Sequence, residues 1–162
     1  MSNIFDKTFE IVTSQKLKVI DKDIKRPWGG FFVISEDNAQ DFSNIYFNGL
    51  NTEELKVSGK LSPKVLIIAP NKRLSWQYHH RRSEIWKVVG GQIKVVTSHD
   101  DIERKEQILK EGDEIRLSKG ERHRIIGMDE YAVVAEIWIH TDKDNPSDEN
   151  DIVRIQDDFD RN

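Results

Sequence analysis

The chain has 162 residues, enough for one domain around a single core. Charged residues make up 33% and apolar residues 36%, a globular composition, and the net charge of -4 gives no sign of a nucleic-acid or anionic-membrane partner. With no cysteine, disulfides and thiolate metal sites are excluded, and neither a bilayer-length apolar run nor an apolar signal core is present, so a cytoplasmic location is expected.

Residues 1–60 show little sustained hydrophobic period and read as an irregular N-terminal extension. Within them, the segment 26–31 (Arg-Pro-Trp-Gly-Gly-Phe) predicts a turn, with Gly30 placed for close backbone approach. The segment 36–46 predicts one short helix, with Ala39, Phe42, Ile45 and Tyr46 at helical spacing and Ser35 as its cap. From residue 61 the text changes to short strands, predicted at 65–69, 74–79, 84–89, 92–97, 107–109, 113–117, 123–126 and 131–140. Breakers separate them, among them Pro70-Asn71, Gly90-Gly91, Glu111-Gly112 and Lys119-Gly120. Many short, closely spaced strands predict an all-β sandwich or closed barrel. In the acidic tail, 141–162, Ile152, Val153, Ile155 and Phe159 can pin the chain end to the body. The expected division is an extension, 1–60, packed on a barrel with its tail, 61–162, as one structural domain.

Four potential metal ligands stand out: Gln77, His79, Glu84 and His123. Side chains two apart on a strand share a face, so Arg73, Ser75, Gln77 and His79 are expected on one side and Leu74, Trp76 and Tyr78 on the other. Glu84 follows a charged turn and can point back toward the first two, and His123 enters a later strand at the same end. Two imidazoles, a carboxylate and an amide oxygen suit a borderline or hard divalent ion: zinc, manganese, iron, cobalt or nickel. A histidine on a strand is more often structural than a ligand, so the pattern alone leaves both readings open. The outward row of Leu74, Trp76 and Tyr78 invites a homodimer.

These residues resemble the cupin superfamily. Its first motif, G-x5-H-x-H-x(3,4)-E-x6-G, matches Gln77-x-His79, Glu84 and Gly91, with Asn71 at the first glycine and Gln77 at the first histidine. Its second, G-x5-P-x-G-x2-H-x3-N, matches Gly112, Ser118, Gly120, His123 and Gly127. Within cupins the chain is similar to the phosphomannose isomerase type at 73–86 (RLSWQYHHRRSEIW), at Arg26-Pro27-Trp28-Gly29, at Asp151-Ile152-Val153-Arg154, and at Asp157-Asp158-Phe159-Asp160-Arg161. Departures fall at Arg81 and Ile85, where that family has histidines, and at Asp160, where it has glycine.

The resemblance implies a cupin double-stranded β-helix, a jelly-roll barrel, holding one divalent ion on Gln77, His79, Glu84 and His123, with zinc expected first. It implies an aldose–ketose isomerase that acts on a sugar phosphate of the mannose 6-phosphate or heptose phosphate type through an enediol. Phosphate recognition requires fixed cations. Arg73, Arg82, Arg124 and Lys94 are the candidates, Arg73 foremost because it shares the ligand face, which also makes it a candidate for the catalytic machinery; Arg124 alternates with His123. Glu136, a carboxylate within an apolar run, is the first candidate for the general base, ahead of the strand lysines Lys64, Lys87 and, last, Lys94, with a salt bridge to an arginine as its alternative role. The competing functional readings are a non-catalytic cupin that binds a sugar or small carboxylate, favoured by Arg81 and Ile85, and an iron-dependent oxygen-using cupin, disfavoured by Gln77.

Overall fold

The computed structural model describes residues 3–161. The chain opens on a helix, α1 (Ile4–Ser14), capped by the Asn3 side chain accepting from the Asp6 amide at 2.9 Å. A hairpin follows, β1 (Val19–Arg26) and β2 (Gly29–Ile34), and Pro27 and Trp28 make its tip. A 3-10 turn (Glu36–Asn38) leads into α2 (Ala39–Tyr46), and α3 (Thr52–Leu55) is a single turn. The rest is β3 (Lys64–Ile68), β4 (Trp76–Tyr78), β5 (Arg82–Gly90), β6 (Gln92–Ser98), β7 (Lys105–Lys110), β8 (Glu114–Leu117), β9 (Arg122–Gly127), β10 (Ala132–His140) and β11 (Val153–Gln156).

The strands form two antiparallel sheets, β1-β2-β3-β10-β5-β8 and β11-β4-β9-β6-β7. This is the all-β architecture expected from the strand pattern, in the jelly-roll form that the resemblance implies. Between the sheets lies a core of Trp86, Val88, Ile93, Val95, Ile125 and Val134 with their neighbours. A second apolar cluster covers the outer face of the six-stranded sheet, where Val12 and Leu17 of the N-terminal segment and Phe42 and Phe47 of the α2 region meet Val65, Ile85, Ala135 and Ile137. Successive residues of β3, β5 and β10 therefore bury on opposite faces, so these strands read as unbroken apolar runs rather than alternating ones.

The N-terminal segment is more regular than its sequence showed. Its hairpin extends the six-stranded sheet, β2 pairing with β3 from Gly29↔Ile68 to Val33↔Lys64. The pattern of β1, VIDKDIKR, is mostly exposed because it is an edge strand, which erases the hydrophobic period. Gly30 is fixed by space: a Cβ there would stand 2.5 Å from the Asp23 carbonyl oxygen. The expected helix is split. Ser35 Oγ accepts from the Asp37 amide at 3.2 Å, and the buried face is Ala39, Phe42 and Ser43, with Ile45 exposed. The tail is pinned by β11, which pairs with β4 through Arg154↔Gln77. No described helix is long and apolar enough to cross a membrane.

Candidate metal centre

Neighbouring strands carry the ligand residues to one place. Gln77 of β4 lies opposite His123 of β9, and Glu84 enters on β5, whose partner residue in β10 is Trp138. His79 follows β4 in the short reversal before β5, held through its backbone carbonyl by the Gly120 amide at 3.0 Å. Candidate ligand atoms of His79, Glu84 and His123 all lie within 4.8 Å of one another, and all three residues are buried. Glu84 Oε2 is 3.8 Å from His79 Nε2 and 3.6 Å from His123 Nε2.

Hydrogen bonding sets both imidazoles for coordination. His79 Nδ1–H donates to the Asp151 carbonyl oxygen at 2.7 Å, and His123 Nδ1–H donates to that of Glu121 at 3.0 Å. A carbonyl can only accept, so each ring presents an unprotonated Nε2 to the cluster. Burial, reinforced by Arg82 and His123, pushes His79 down to about 3, and burial lowers His123 as well. Glu84 resists burial because Arg82, foremost among its cationic neighbours, holds it below the usual carboxylate range. Its Oε2 is buried with no hydrogen-bond partner among the described residues. The Gln77 amide nitrogen donates to the Ser75 hydroxyl at 3.1 Å, which leaves the amide oxygen as its free donor atom. An orphaned carboxylate oxygen between two imidazole lone pairs fits a divalent ion, and the absence of thiolates makes the site one of nitrogen and oxygen donors.

Gln77, Glu84 and His123 line a cavity of about 380 Å³, while His79 lies outside its lining, beside Glu84. Glu136 of β10 lies on its wall, accepting from Trp86 Nε1 at 2.9 Å and Trp138 Nε1 at 2.7 Å. Two indole donors favour the carboxylate, but burial and the nearby Glu84 outweigh them and push Glu136 up to about 8. Lys64 is buried over the Trp138 ring, 3.9 Å from its centroid, and ion-paired with Glu149. Arg82 stacks on the same ring at 3.6 Å, donates to Ser147 Oγ at 2.9 Å, and reaches His79 Nε2 at 3.1 Å. Arg26, Arg154 and Arg161 also line the cavity. Asp157 holds Arg161 with two side-chain bonds, while Arg154 Nε is buried without a partner among the described residues. Burial lowers Arg154, and the like charge of Arg161 lowers it further.

The remaining candidates lie elsewhere. Arg73 points away from the cavity and forms a bidentate pair with Asp158, at 2.6 and 2.8 Å. The two-residue phase does not extend to it because β4 begins only at Trp76, and Arg73 makes just an isolated bridge to Ile126. Arg124 is buried on the opposite face of β9 from His123, donating to the Leu74 carbonyl at 3.0 Å and facing Glu103. Lys94 pairs with Glu106 on the neighbouring β7. The expected outward row dissolves as well, because Leu74 precedes β4 and Trp76 is covered by the segment that follows β6. Leu74 lines the cavity, and Trp76 is 2% exposed, with its indole N–H on the Asp101 carbonyl. Ile85, one residue after Glu84, faces the outer cluster, and Arg81 pairs with Asp148 and Asp151 outside the cavity wall. Neither departure touches the ligands.

Sequence reasoning weighed Lys64 only as a further candidate base, and it did not assign Arg26, Arg154, Arg161 or Asp151 a place at the site. Lys64 had a signal of its own, as a lysine opening a wholly apolar run. The others stood within the quoted motifs without a role.

Jelly-roll topology and a buried His-Glu-His cluster in the barrel define a cupin with a candidate metal site. The chain belongs to the family described as Mannose-6-phosphate isomerase C-terminal, which it matches over residues 36–157. That match begins inside the segment read from sequence as an extension. No curated protein matches the chain. Among solved structures it is similar to CapF (TM-score 0.59, 16% identity), over 86% of this chain and 34% of that one. It is also similar to vicilin from Corylus avellana (0.58, 15%), over 88% and 36%, and to KdgF from Halomonas sp. (0.52, 13%), over 76% and 90%. The chain thus spans about a third of CapF and vicilin, and these likenesses concern the fold alone.

Proposed function

We propose that this cupin is a metal-dependent aldose–ketose isomerase acting on a sugar phosphate. The observation that carries the reading is that one cavity is lined by three kinds of group: the donors Gln77, Glu84 and His123 with His79 beside them, the proton-holding Glu136, and the cations Arg26, Arg154 and Arg161. Gln77, His79, Glu84 and His123 would hold the ion, with zinc expected first. Bound there, it supplies Lewis-acid stabilisation of negative charge developing on the substrate oxygens.

Arg154 and Arg161 receive the phosphate, which relieves their mutual repulsion and gives the unpaired Arg154 Nε an acceptor. Glu136 as the carboxylate takes the proton from C2 of the aldose and returns it to C1, while the O2 hydroxyl proton passes to O1 through the enediol, so the carboxylate is regenerated. A group lifted to about 8 suits this task, since its proton is neither held nor released too strongly near neutral pH. Lys64 lies directly opposite Glu136 in the β3–β10 pairing and balances the charge that Glu136 acquires on ionising. Trp28, Trp86 and Trp138 line the cavity and would help to keep water from the reacting carbons.

The observation favouring a non-catalytic sugar-binding cupin was the loss of histidines at 81 and 85, and both positions lie off the cavity. Metal analysis of the purified protein and a coupled assay on mannose 6-phosphate and a heptose phosphate test the proposal. Turnover of either with stoichiometric metal is expected. Stoichiometric metal without turnover of either sinks the isomerase reading.

A further inference from the structure

Asp151 belongs to none of the groups that would touch ion or substrate, yet it is among the most heavily bonded carboxylates in the protein. Its side chain is fully buried. Oδ1 accepts from the His80 amide at 2.9 Å, and Oδ2 accepts from the Arg81 amide at 2.9 Å and from the Ser147 hydroxyl at 2.6 Å. Its own carbonyl oxygen accepts the Nδ1–H of His79. The residues it grips form the reversal between β4 and β5. His79 stands in that reversal, beyond the last ladder residue Tyr78, so sheet pairing does not fix its ring.

We propose that Asp151 is the positioning residue of the metal centre: its carboxylate anchors the His79–Arg81 reversal while its carbonyl sets the His79 ring orientation and tautomer. The inference rests on the reading of His79, Glu84 and His123 as metal ligands. A carboxylate accepting two successive backbone N–H groups replaces the missing strand ladder with charge-assisted bonds. The segment between β10 and β11 is thereby tied to the ligand. Ser147 extends the tie, since its amide donates to His140 Nδ1 at 2.9 Å and its hydroxyl accepts from Arg82. His140 in turn holds Ser62 through Nε2 at 3.0 Å. One chain of polar contacts thus runs from Ser62, just before β3, to the candidate ligand.

The test uses the full chain and its Asp151→Ala, Asp151→Asn and Ser147→Ala variants. Zinc affinity is measured by competition with a chromogenic chelator, histidine tautomers by long-range proton–nitrogen NMR on the metal-free protein, and folding by circular dichroism. Asp151→Ala, which keeps the carbonyl but frees the segment that carries it, should weaken zinc binding roughly 10- to 100-fold, the usual effect of disturbing the outer partner of a ligand histidine. Asp151→Asn, which keeps one acceptor, should lose less. In Asp151→Ala the His79 ring should become a mixture of tautomers while His123 stays Nδ1-protonated, a difference that general loosening of the fold would not produce. A folded Asp151→Ala protein with unchanged zinc affinity and a pure His79 Nδ1–H tautomer overturns the proposal. Should that variant not fold, the other two carry the same readouts, and unchanged values in both overturn it. If the unaltered protein takes up no zinc, the metal reading fails, and the His79 tautomer in the variants alone decides the positioning role.

Discussion

Glu136→Gln should change the pH dependence of stability in a way that reports the protonation of the buried carboxyl. Glu136 titrates near 4.5 when exposed and about 8 in the fold. A raised folded value means that the stabilisation is complete below 4.5 and is lost as pH rises toward 8, because the unfolded chain releases the proton first. Each pH unit across that window is worth about 1.4 kcal/mol. His79, pushed down to about 3, and His140, pushed down to about 4, work in the opposite sense, but both finish by about pH 6.5, the ordinary imidazole value. From pH 6.5 to 8, Glu136 should therefore dominate among these groups, costing the protein about 2 kcal/mol. Glutamine carries no such proton. It also offers an amide N–H₂ to one of the two indole donors, leaving an N–H unpaired at a cost of about 1–3 kcal/mol. Glu136→Gln should thus be the less stable protein at pH 6.5, and the gap should close by about 2 kcal/mol at pH 8. Urea unfolding of the chelator-treated proteins at half-unit pH steps measures it, chelation removing the added stability of any bound ion. Parallel stability curves for the two proteins would refute a protonated Glu136. The same substitution should abolish isomerisation and leave zinc content unchanged.

Arg154→Met should raise KM for the sugar phosphate roughly 10- to 100-fold and weaken inhibition by inorganic phosphate, the loss expected for a hydrogen bond to a charged group, with kcat little altered; an unchanged KM removes Arg154 from phosphate binding. Zinc affinity, measured in the Glu136→Gln background, should stay nearly flat from pH 8 to 6 because burial already keeps both imidazoles unprotonated there. A steep fall between pH 7 and 6 would show an ordinary imidazole among the ligands. Ile85→Ala should cost about 2–5 kcal/mol by opening the outer cluster, with zinc content preserved; loss of zinc from a folded variant would place Ile85 at the metal after all.

The barrel strands were legible because most carry Gly, Asn or Asp breakers at their ends and apolar runs between them. The hairpin β1–β2 was not, since an edge strand with five charged residues in VIDKDIKR has no buried alternation to read. Some departures from the family pattern were legible only as losses, and the backbone explains them. Asn71 and Asp160 stand where glycine was expected, and both hold left-handed conformations, φ 60° and 53°. Asn and Asp are the side chains that tolerate this region best after glycine. Gly127 stands where the motif has Asn because a Cβ would meet the Ala69 carbonyl at 2.2 Å. For the site, two-residue phase placed Gln77 correctly beside His123 but failed four residues earlier at Arg73, where the strand has not yet begun. Phase is a property of an existing ladder, and no sequence period reveals where that ladder starts.

Glu84 and Glu136 show how one cavity can support two jobs with the same chemical group. Both are almost fully buried, and burial alone would neutralise both. Arg82 lies 3.5 Å from Glu84 and decides which carboxyl keeps its charge. Once Glu84 is ionised, its field adds to burial in raising Glu136, so the second proton is held because the first has left. The ionised member faces two unprotonated imidazoles and is suited to bind a cation; the neutral one is lodged between two indoles and is suited to exchange a proton. Trp138 links the two states, with Lys64 and Arg82 both over its ring and its N–H on Glu136. Displacing Arg82 would remove its lowering of both Glu84 and Glu136, so the acid–base group and the ligand set cannot be tuned independently.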